Sequence, residues 1–418
     1  MLNKLDIFKI PPQILFTILP LGLIIMGDSI LYVILPTNTN FFKINSFIGI
    51  DSAFWIGFIL SINRFVRFFS NVISVKIIKN LGLRRSMFIA IFAGSFSTLG
   101  YALLKGVLLI VILRIIWGFS YSIFRLSYQL KVYSFEASSQ YFLNSNNYGR
   151  NLGFCLSIQR MGSFIAVTLG VYFSVKYGYF NTLVILSMLV IPAFFIVYKI
   201  KEINLTNITK PKLNWNLFYM DQNIDIRKNI FIISMFKFSS SFTSNGLAIA
   251  TITPFLISIN DNVFSYEFII MLAGLVVGFR WMADILFGII FGALSDKFGR
   301  RSNIIISSVL ILFAIIIAIS SISFYISIAC IILMFFLSVS LETSLDAQIG
   351  EASPDKEKSS IISRYSTWQD LGAAFGPILG FIIGSYFGIN YGYIFSIILI
   401  FISLYFYLKT FGFHYQSK

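Results

Sequence analysis

Twelve long apolar runs, separated by short polar segments, limit what this chain can fold into. A helix needs about 20 predominantly apolar residues to cross a bilayer. Charged residues make up only 12% of the 418 residues, against about 25% in soluble proteins. The sequence therefore predicts an all-α membrane protein with twelve transmembrane helices. We place the spans near residues 13–36, 51–78, 87–104, 107–134, 151–176, 180–199, 230–258, 266–294, 303–320, 325–348, 361–387 and 390–409.

The distribution of basic residues predicts how these spans are oriented. The formal net charge is +15. With the N-terminus in the cytoplasm, most Lys and Arg fall on the cytoplasmic side, and the outside loops carry Lys43, Lys105 and Lys176. This asymmetry follows the positive-inside rule. An even number of spans returns the C-terminus to the cytoplasm. We therefore expect a protein of the inner or plasma membrane that does not bind nucleic acid.

A polar stretch near residues 200–229 lies at the middle of the sequence, with six predicted spans on either side. It predicts two six-helix bundles, residues 1–199 and residues 230–418, joined by a cytoplasmic linker.

Matching segments indicate that the two halves are related. Arg64 and Arg280 each lie 20 residues before an Arg-Arg pair, and the two pairs begin at Arg84 and Arg300, an offset of 216. A second match has the same internal spacing in both copies, at an offset of 210. It joins Gln159-Arg160-Met161-Gly162…Gly170 to Gln369-Asp370-Leu371-Gly372…Gly380. An internal repeat of about half the chain predicts a pseudo-symmetric pair of bundles.

The segment after the eighth span carries the most specific motif of the chain. It reads Gly292-x-x-x-Asp296-Lys297-x-Gly299-Arg300-Arg301 and matches the cytoplasmic loop signature of the major facilitator superfamily, G-x-x-x-D-[RK]-x-G-[RK]-[RK]. The first-half copy has Lys76 for the glycine and Asn80 for the aspartate.

Two further segments are similar to motifs of the same superfamily. Arg114-x-x-Trp117-Gly118 resembles its R-x-x-Q-G signature, with Trp in place of Gln. Gly27-Asp28…Leu35-Pro36 resembles the acidic first-span motif of its drug-transporter branch. The chain thus resembles a twelve-span member of the superfamily.

This resemblance implies a secondary active transporter in which two bundles rock about a central site. It implies that Gly292, Asp296, Lys297, Gly299, Arg300 and Arg301 form a conformational latch; the alternative is a loop that only anchors topology. We expect Gly292 to allow close approach of two helices and Asp296 to lie at the start of the following helix. The resemblance also suggests Asp28 as the proton-coupling carboxylate, with Arg114 as its regulator.

Charged residues inside the spans point to the site. Each costs about 2.5–3.5 kcal/mol on insertion scales, so it should face a polar cavity or a partner. The first half is mostly cationic and the second mostly anionic, which favours salt bridges between the halves. The residues are Asp28, Arg64, Arg67, Arg114, Arg125 and Arg160, then Lys237, Arg280, Asp284, Glu342, Asp346 and Asp370.

Depth within the spans narrows this set. Arg64, Arg160, Arg280 and Asp370 lie near the middle of spans, where transporters bind their solutes, and we predict that they bind substrate. Because Arg160 and Asp370 match in the repeat, they either pair or hold opposite ends of the solute; the alternative is a static structural pair. Arg280 can pair locally with Asp284, four residues further on.

We therefore expect a monomeric, proton-coupled transporter of a small organic solute. Five arginines in the first-half spans favour an anionic or carboxylate-bearing one, such as an organic acid or siderophore. The alternatives are a multidrug or metabolite efflux antiporter and a non-transporting receptor. The single histidine, His414, and two separated cysteines form no metal spacing, and no phosphate loop or nucleophile elbow is present. We expect no enzyme activity, cofactor, metal or catalytic residue.

Overall fold

Helices make up almost all of the chain that the structure, a computed structural model, describes. It describes residues 11–138, 148–202, 224–260, 263–354 and 358–412, and none of these residues belongs to a β-strand. His414 and most of the predicted linker, residues 203–223, lie outside this part of the chain. The prediction of an all-α membrane fold is confirmed.

The helices follow the predicted spans and are labelled α1 to α12. In the first half they are α1 (Pro12–Ser29, continued by Leu31–Thr37), α2 (Ser52–Leu81), α3 (Leu83–Leu103), α4 (Val107–Ser138), α5 (Tyr148–Ile165, Ala166–Gly170 and Val171–Tyr177) and α6 (Tyr179–Met188 and Ile191–Tyr198). In the second half they are α7 (Ile224–Ser241, Phe242–Ala248 and Ile249–Ser258), α8 (Tyr266–Phe298), α9 (Arg300–Ile319), α10 (Phe324–Ala352), α11 (Lys358–Phe387) and α12 (Ile389–Phe411). A short helix, Thr39–Phe42, follows α1.

Eleven of the described helical segments are long and apolar enough to cross a membrane. The helix outside this set is α7. Its first segment contains Asp225, Arg227, Lys228 and Lys237, and a π-helical turn, Phe242–Ala248, interrupts it. Its polar composition lowers its mean hydropathy, and one of these residues, Lys237, forms part of the site described below.

The chain divides into two compact units. Unit 1 comprises Met1–Leu31 and Val66–Leu213, and unit 2 comprises Tyr32–Phe65 and Asn214–Lys418. Both α1 and α2 contribute to each unit, because the chain changes unit within each of them. The predicted division into residues 1–199, 200–229 and 230–418 stays a prediction.

Single glycines join four pairs of consecutive helices. Gly82, Gly178, Gly299 and Gly388 have φ between 83° and 102°, a region that L side chains rarely adopt. In each case one helix ends directly before the glycine and the next begins directly after it. The α2–α3 joint corresponds to the α8–α9 joint, and the α5–α6 joint to the α11–α12 joint.

Close backbone crossings repeat in the two units. In unit 1, α5 passes α1 so tightly that a Cβ at Gly162 would run into the carbonyl of Gly22. In unit 2, α11 passes α7 in the same way, and a Cβ at Gly372 would run into the carbonyl of Phe238. Small residues permit such approaches between membrane helices. The offsets of 216 and 210 found in the sequence relate these two crossings.

Candidate functional site

A buried ion pair joins α1 to α4 in unit 1. Asp28 Oδ1 accepts from Arg114 Nη1, and the side chains are 7% and 0% exposed. A buried pair of this kind is strongly destabilised when one partner alone is removed, because the other charge then lacks compensation. The structure therefore brings together the two residues predicted to couple protons, and their roles stay predictions.

A cationic and aromatic cluster in unit 1 lies on α2, α4 and α5. The guanidinium of Arg67 lies 4.0 Å from the ring centroid of Tyr121, and the Tyr121 ring stacks on Trp117 at 5.3 Å. Gln159 Nε2 donates to Tyr121 Oη at 3.1 Å. A guanidinium over an aromatic face gains about 0.5–2 kcal/mol, more when desolvated. The contacts hold Arg67 in one position.

Two more arginines belong to the same region. Arg125 and Arg160, both partly exposed, interact electrostatically with Tyr128 on α4. Arg160 directly follows Gln159 on α5. The structure thus assembles Arg67, Arg125 and Arg160, and we call these three with Tyr121, Tyr128 and Gln159 the arginine–tyrosine cluster.

The tyrosines of this cluster were not predicted from the sequence. Their signal is the spacing along α4, where Arg114, Trp117, Tyr121, Arg125 and Tyr128 recur every three or four residues. That spacing places them on one face of a helix.

Five charged residues of unit 2 form a second group, which we call the charge chain. Lys237 Nζ on α7 lies 2.8 Å from Asp346 Oδ1 and 3.5 Å from Glu342 Oε2, both on α10. On α8, Arg280 Nη2 lies 3.6 Å from Glu342 Oε1, and Arg280 Nη1 bonds to Asp284 Oδ1. The signs alternate along the series Asp346, Lys237, Glu342, Arg280 and Asp284.

Neutral side chains complete this group. Glu342 Oε1 accepts from Ser244 Oγ at 2.9 Å and from Asn245 Nδ2 at 2.8 Å, both on the π-helical turn of α7. Asn245 Oδ1 in turn accepts from Arg280 Nη2 at 2.9 Å. Tyr365 Oη on α11 donates to Asp346 Oδ1 at 2.6 Å. π-Helical turns occur frequently at functional sites.

These contacts change the interpretation of several predicted residues. The local pair of Arg280 and Asp284 is present, but Arg280 also reaches Glu342. The adjacent carboxylates Glu342 and Asp346 share the ammonium of Lys237, which the sequence analysis had not placed between them. These pairs and the Asp28–Arg114 pair each lie within one unit. The predicted relation of Arg160 to Asp370, both partly buried, stays a prediction.

Arg64 binds a backbone carbonyl that a proline leaves without its helical donor. Pro377 lies inside α11 and has no N–H, so the carbonyl four residues earlier, that of Ala373, loses its usual partner. Arg64 Nη1 on α2 donates to this oxygen at 2.6 Å. The guanidinium also lies 5.6 Å from the ring of Tyr32. Arg64 thereby joins α2 to α11 within unit 2.

The loop motif forms ion pairs at the α8–α9 joint. Arg300 Nη2 lies 3.2 Å from Asp296 Oδ1 and 2.9 Å from Glu351 Oε1, at the end of α10. Lys297 lies over Phe298, at 5.6 Å from the ring centroid. Gly299 supplies the positive φ of the joint. Arg300 therefore links α8 and α9 to α10.

Two expectations about this loop were wrong. Asp296 lies in the last turn of α8, not at the start of the next helix, and Arg300 compensates its charge there. A Cβ at Gly292 would meet nothing within 4 Å among the described residues, so no close helix approach occurs at that position.

In the structure, the two copies of the loop motif align one residue away from the alignment that the sequence suggested. Gly82 and Gly299 both begin a helix, so Arg84 corresponds to Arg301 rather than to Arg300. Arg84 donates through Nε and Nη2 to the carbonyl of Ile200, just after α6, at 2.9 and 2.6 Å. Arg301 donates to the carbonyl of Phe411, at the end of α12, at 3.1 Å. Each arginine ties the last helix of its half to the loop.

Comparisons with known proteins identify the class to which this fold belongs. The chain is similar to a bacterial homolog of the human lysosomal transporter Spinster in an inward-facing, occupied conformation (12% identity, 95% and 96% of the chains covered, TM-score 0.71). It is similar to the nucleoside transporter NupG (13%, 97% and 100%, 0.73) and to a D-xylose–proton symporter (11%, 95% and 97%, 0.72). No curated protein sequence matches it. The fold is that of membrane transporters.

A family model matches most of the second half of the chain. Residues 238–412 match the model of the Major Facilitator Superfamily, and the similarity to the solved transporters in fold extends over both halves. With its many apolar helices, the chain is an integral membrane protein. The proteins that it resembles are transporters, not enzymes.

Proposed function

We propose that this protein is a secondary active transporter that couples the movement of a small organic anion to protons. The observation that supports an anionic solute is the arginine–tyrosine cluster of unit 1. Within the apolar spans of unit 1, with α4 counted as far as Val132, Asp28 is the only carboxylate among the described residues, and Arg114 binds it. The surplus of cationic side chains favours a ligand with a carboxylate or phosphate, which arginine binds through two parallel hydrogen bonds.

Arg160 is the residue of this cluster that we expect to contact the solute most directly. It is partly exposed on α5, and Gln159 beside it is held by Tyr121. Asp370, at the matching position of the repeat, is proposed to bind the opposite end of the solute. Arg280 and Arg64 are proposed to act on the solute as the α7–α8 and α2–α11 contacts rearrange.

Proton coupling is proposed to involve Asp28 and Arg114. A proton on Asp28 would cancel its attraction for Arg114, and Arg114 lies on the same face of α4 as Tyr121 and Arg125. Protonation of Asp28 would therefore release Arg114 on the helix face that α4 contributes to the arginine–tyrosine cluster. One structural relative is a symporter of D-xylose and protons, which shows that the fold accommodates such coupling in another protein.

The loop around Arg300 is proposed to act as a latch. Arg300 holds Asp296 and Glu351 together, so movement of α10 against α8 would break one of the two pairs. We further propose a monomer in the inner or plasma membrane with both termini in the cytoplasm.

Uptake into proteoliposomes tests this function. Purified protein is given panels of organic anions and organic cations, with and without an inward proton gradient. We expect accumulation of anions that the gradient drives, and its loss in Arg160→Ala and Asp370→Ala. Lys176→Ala, which removes a cation near the end of α5, serves as the matched control and should keep full transport. A preference for cations, or anion uptake that ignores the gradient, would contradict the proposal.

A further inference from the structure

The connection between α1 and α2 contains a tight turn at Phe47–Ile50. The N–H of Phe47 donates to the carbonyl of Ile50 at 3.0 Å, and the N–H of Ile50 donates to the carbonyl of Phe47 at 3.1 Å. The two central residues, Ile48 and Gly49, have φ of 53° and 72°. Positive φ at both positions marks a type I′ turn, whose first central residue is usually Asn, Asp or Gly. A β-branched residue is an outlier there, so the backbone disfavours the residue at the tip of this turn.

The side chain at this tip is apolar and exposed, and other loops of unit 2 repeat the feature. Ile48 is 77% exposed, Val263 between α7 and α8 is 69% exposed, and Ile322 between α9 and α10 is 71% exposed. Because successive spans alternate in direction, α2, α8 and α10 begin on one side of the membrane, which the sequence predicts to be outside. In agreement, Tyr266 Oη at the start of α8 donates to the carbonyl of Thr37 at the end of α1, at 2.8 Å. The exposed aliphatic side chains therefore lie at one end of unit 2.

Aromatic side chains indicate the depth of this end relative to the bilayer. Trp55, in the first turn of α2, donates through Nε1 to the carbonyl of Phe47 at 3.2 Å, and the two rings lie 5.6 Å apart. These contacts hold the turn at the level of the first turn of α2. Tyr266 and Tyr325, both exposed, lie in the first turns of α8 and α10. Trp and Tyr are enriched at the boundary between membrane and water, so the turn lies at this boundary.

We propose that the turn inserts Ile48 among the lipids of the leaflet on this side and thereby holds the start of α2 at a fixed depth. Residues 44–50, 263–265 and 320–323 contain no Asp, Glu, Lys or Arg, whereas a surface that binds another protein usually has a polar rim. The surroundings of the tip are instead aromatic and continuous with the apolar spans. Transfer of an isoleucine side chain from water to hydrocarbon is favourable and offsets its left-handed backbone. The inference does not depend on the proposed function.

Spin labels on single introduced cysteines test the insertion in phosphatidylcholine liposomes. The variants are Ile48→Cys and Ile322→Cys, with Asn45→Cys, an exposed polar position of the same loop, as the matched control. Labelled wild type gives the background from Cys155 and Cys330. Relaxation of the label by oxygen, which concentrates in the bilayer, is compared with relaxation by a water-soluble nickel chelate. We expect the ratio of oxygen effect to nickel effect to be severalfold larger at positions 48 and 322 than at position 45.

Two other results would overturn the proposal. Equal ratios at positions 48 and 45 would show that the tip lies in water. Low accessibility to both reagents at position 48 would show that protein covers the tip, and recovery of accessibility on dilution of the protein in lipid would identify that protein as a second copy of the chain.

A second variant tests whether the tip sets the depth of α2. Ile48→Asn places a residue that type I′ turns favour at the tip, so the turn stays formed while the apolar side chain is lost. A label on Ala53→Cys, in the first turn of α2, reports the depth of that helix. We expect Ile48→Asn to lower the ratio of oxygen effect to nickel effect at position 53 severalfold, and the control Asn45→Ala to leave it unchanged. An unchanged ratio in Ile48→Asn would refute the anchoring role.

Discussion

The bond between Arg64 and the carbonyl of Ala373 makes a quantitative prediction, because Pro377 is the reason that this carbonyl is available. Arg64→Ala removes a hydrogen bond from a charged donor at 2.6 Å and leaves a buried acceptor unsatisfied. Bonds to charged groups contribute about 1.5–3 kcal/mol, and an orphaned buried acceptor costs about 1–3 kcal/mol. We therefore expect Arg64→Ala to lower the free energy of unfolding by about 2–3 kcal/mol.

Replacing the proline should remove most of that loss. In Pro377→Ala, residue 377 regains an N–H that donates to the carbonyl of Ala373 within α11. Arg64→Ala in this background then leaves no orphaned acceptor. It loses only the cation–π contact with Tyr32, worth about 0.5–1 kcal/mol. Because this contact is lost in both backgrounds, it cancels in the double-mutant cycle. The coupling between Arg64 and Pro377 should therefore equal the loss assigned to the hydrogen bond, about 2–3 kcal/mol.

Unfolding of the four proteins in mixed detergent micelles, with increasing dodecyl sulfate, measures the cycle. The wild type, both single variants and the double variant are compared at one protein concentration. Additivity within about 0.5 kcal/mol is what independent sites show. That result would refute the argument that Pro377 creates the acceptor for Arg64.

Three further predictions concern other contacts. Gly57→Ala places a Cβ 2.7 Å from the carbonyl of Pro377 and should destabilise by about 1–3 kcal/mol, whereas Gly153→Ala, with nothing within 4 Å, should be neutral or slightly stabilising in the same unfolding assay. Glu202→Gln weakens the cap of α3, where Glu202 accepts from the N–H of Leu83 at 2.8 Å; we expect a loss of about 0.3–1 kcal/mol that shrinks in high salt. Tyr121→Leu should cost about 0.5–2 kcal/mol more than Tyr121→Phe, which keeps the ring under Arg67; equal losses would contradict the cation–π contact.

Backbone features could be predicted well from the sequence. Gly162 and Gly372 were found as a matched pair, and each permits one tight helix crossing. The apolar runs gave the helices within a few residues, because span length is set by bilayer thickness. A tight helix crossing requires a glycine and a membrane span requires a long apolar run. Few other residues can take these places, so the features can be recognised in a single sequence.

Side-chain partners could not be predicted in the same way. Lys237 was known only as a charge in a span, and nothing in one sequence says that it lies between Glu342 and Asp346. The sequence alignment of the two loop copies was wrong by one residue. It matched the two Arg-Arg pairs, whereas the positive-φ glycine decides where each helix begins. Contacts of this kind depend on helix rotation, which the apolar surroundings leave weakly specified.

The two units share backbone contacts and differ in charge, and this contrast supports a division of roles. Arg160 and Asp370 each lie two residues before the glycine of an equivalent crossing, yet they carry opposite charges. In unit 1 the described spans hold an ion pair and a surplus of arginine, whereas in unit 2 the charge chain alternates in sign and its two cations, Lys237 and Arg280, are buried. A surplus of one sign attracts a solute of the opposite charge, which agrees with the role proposed above for unit 1.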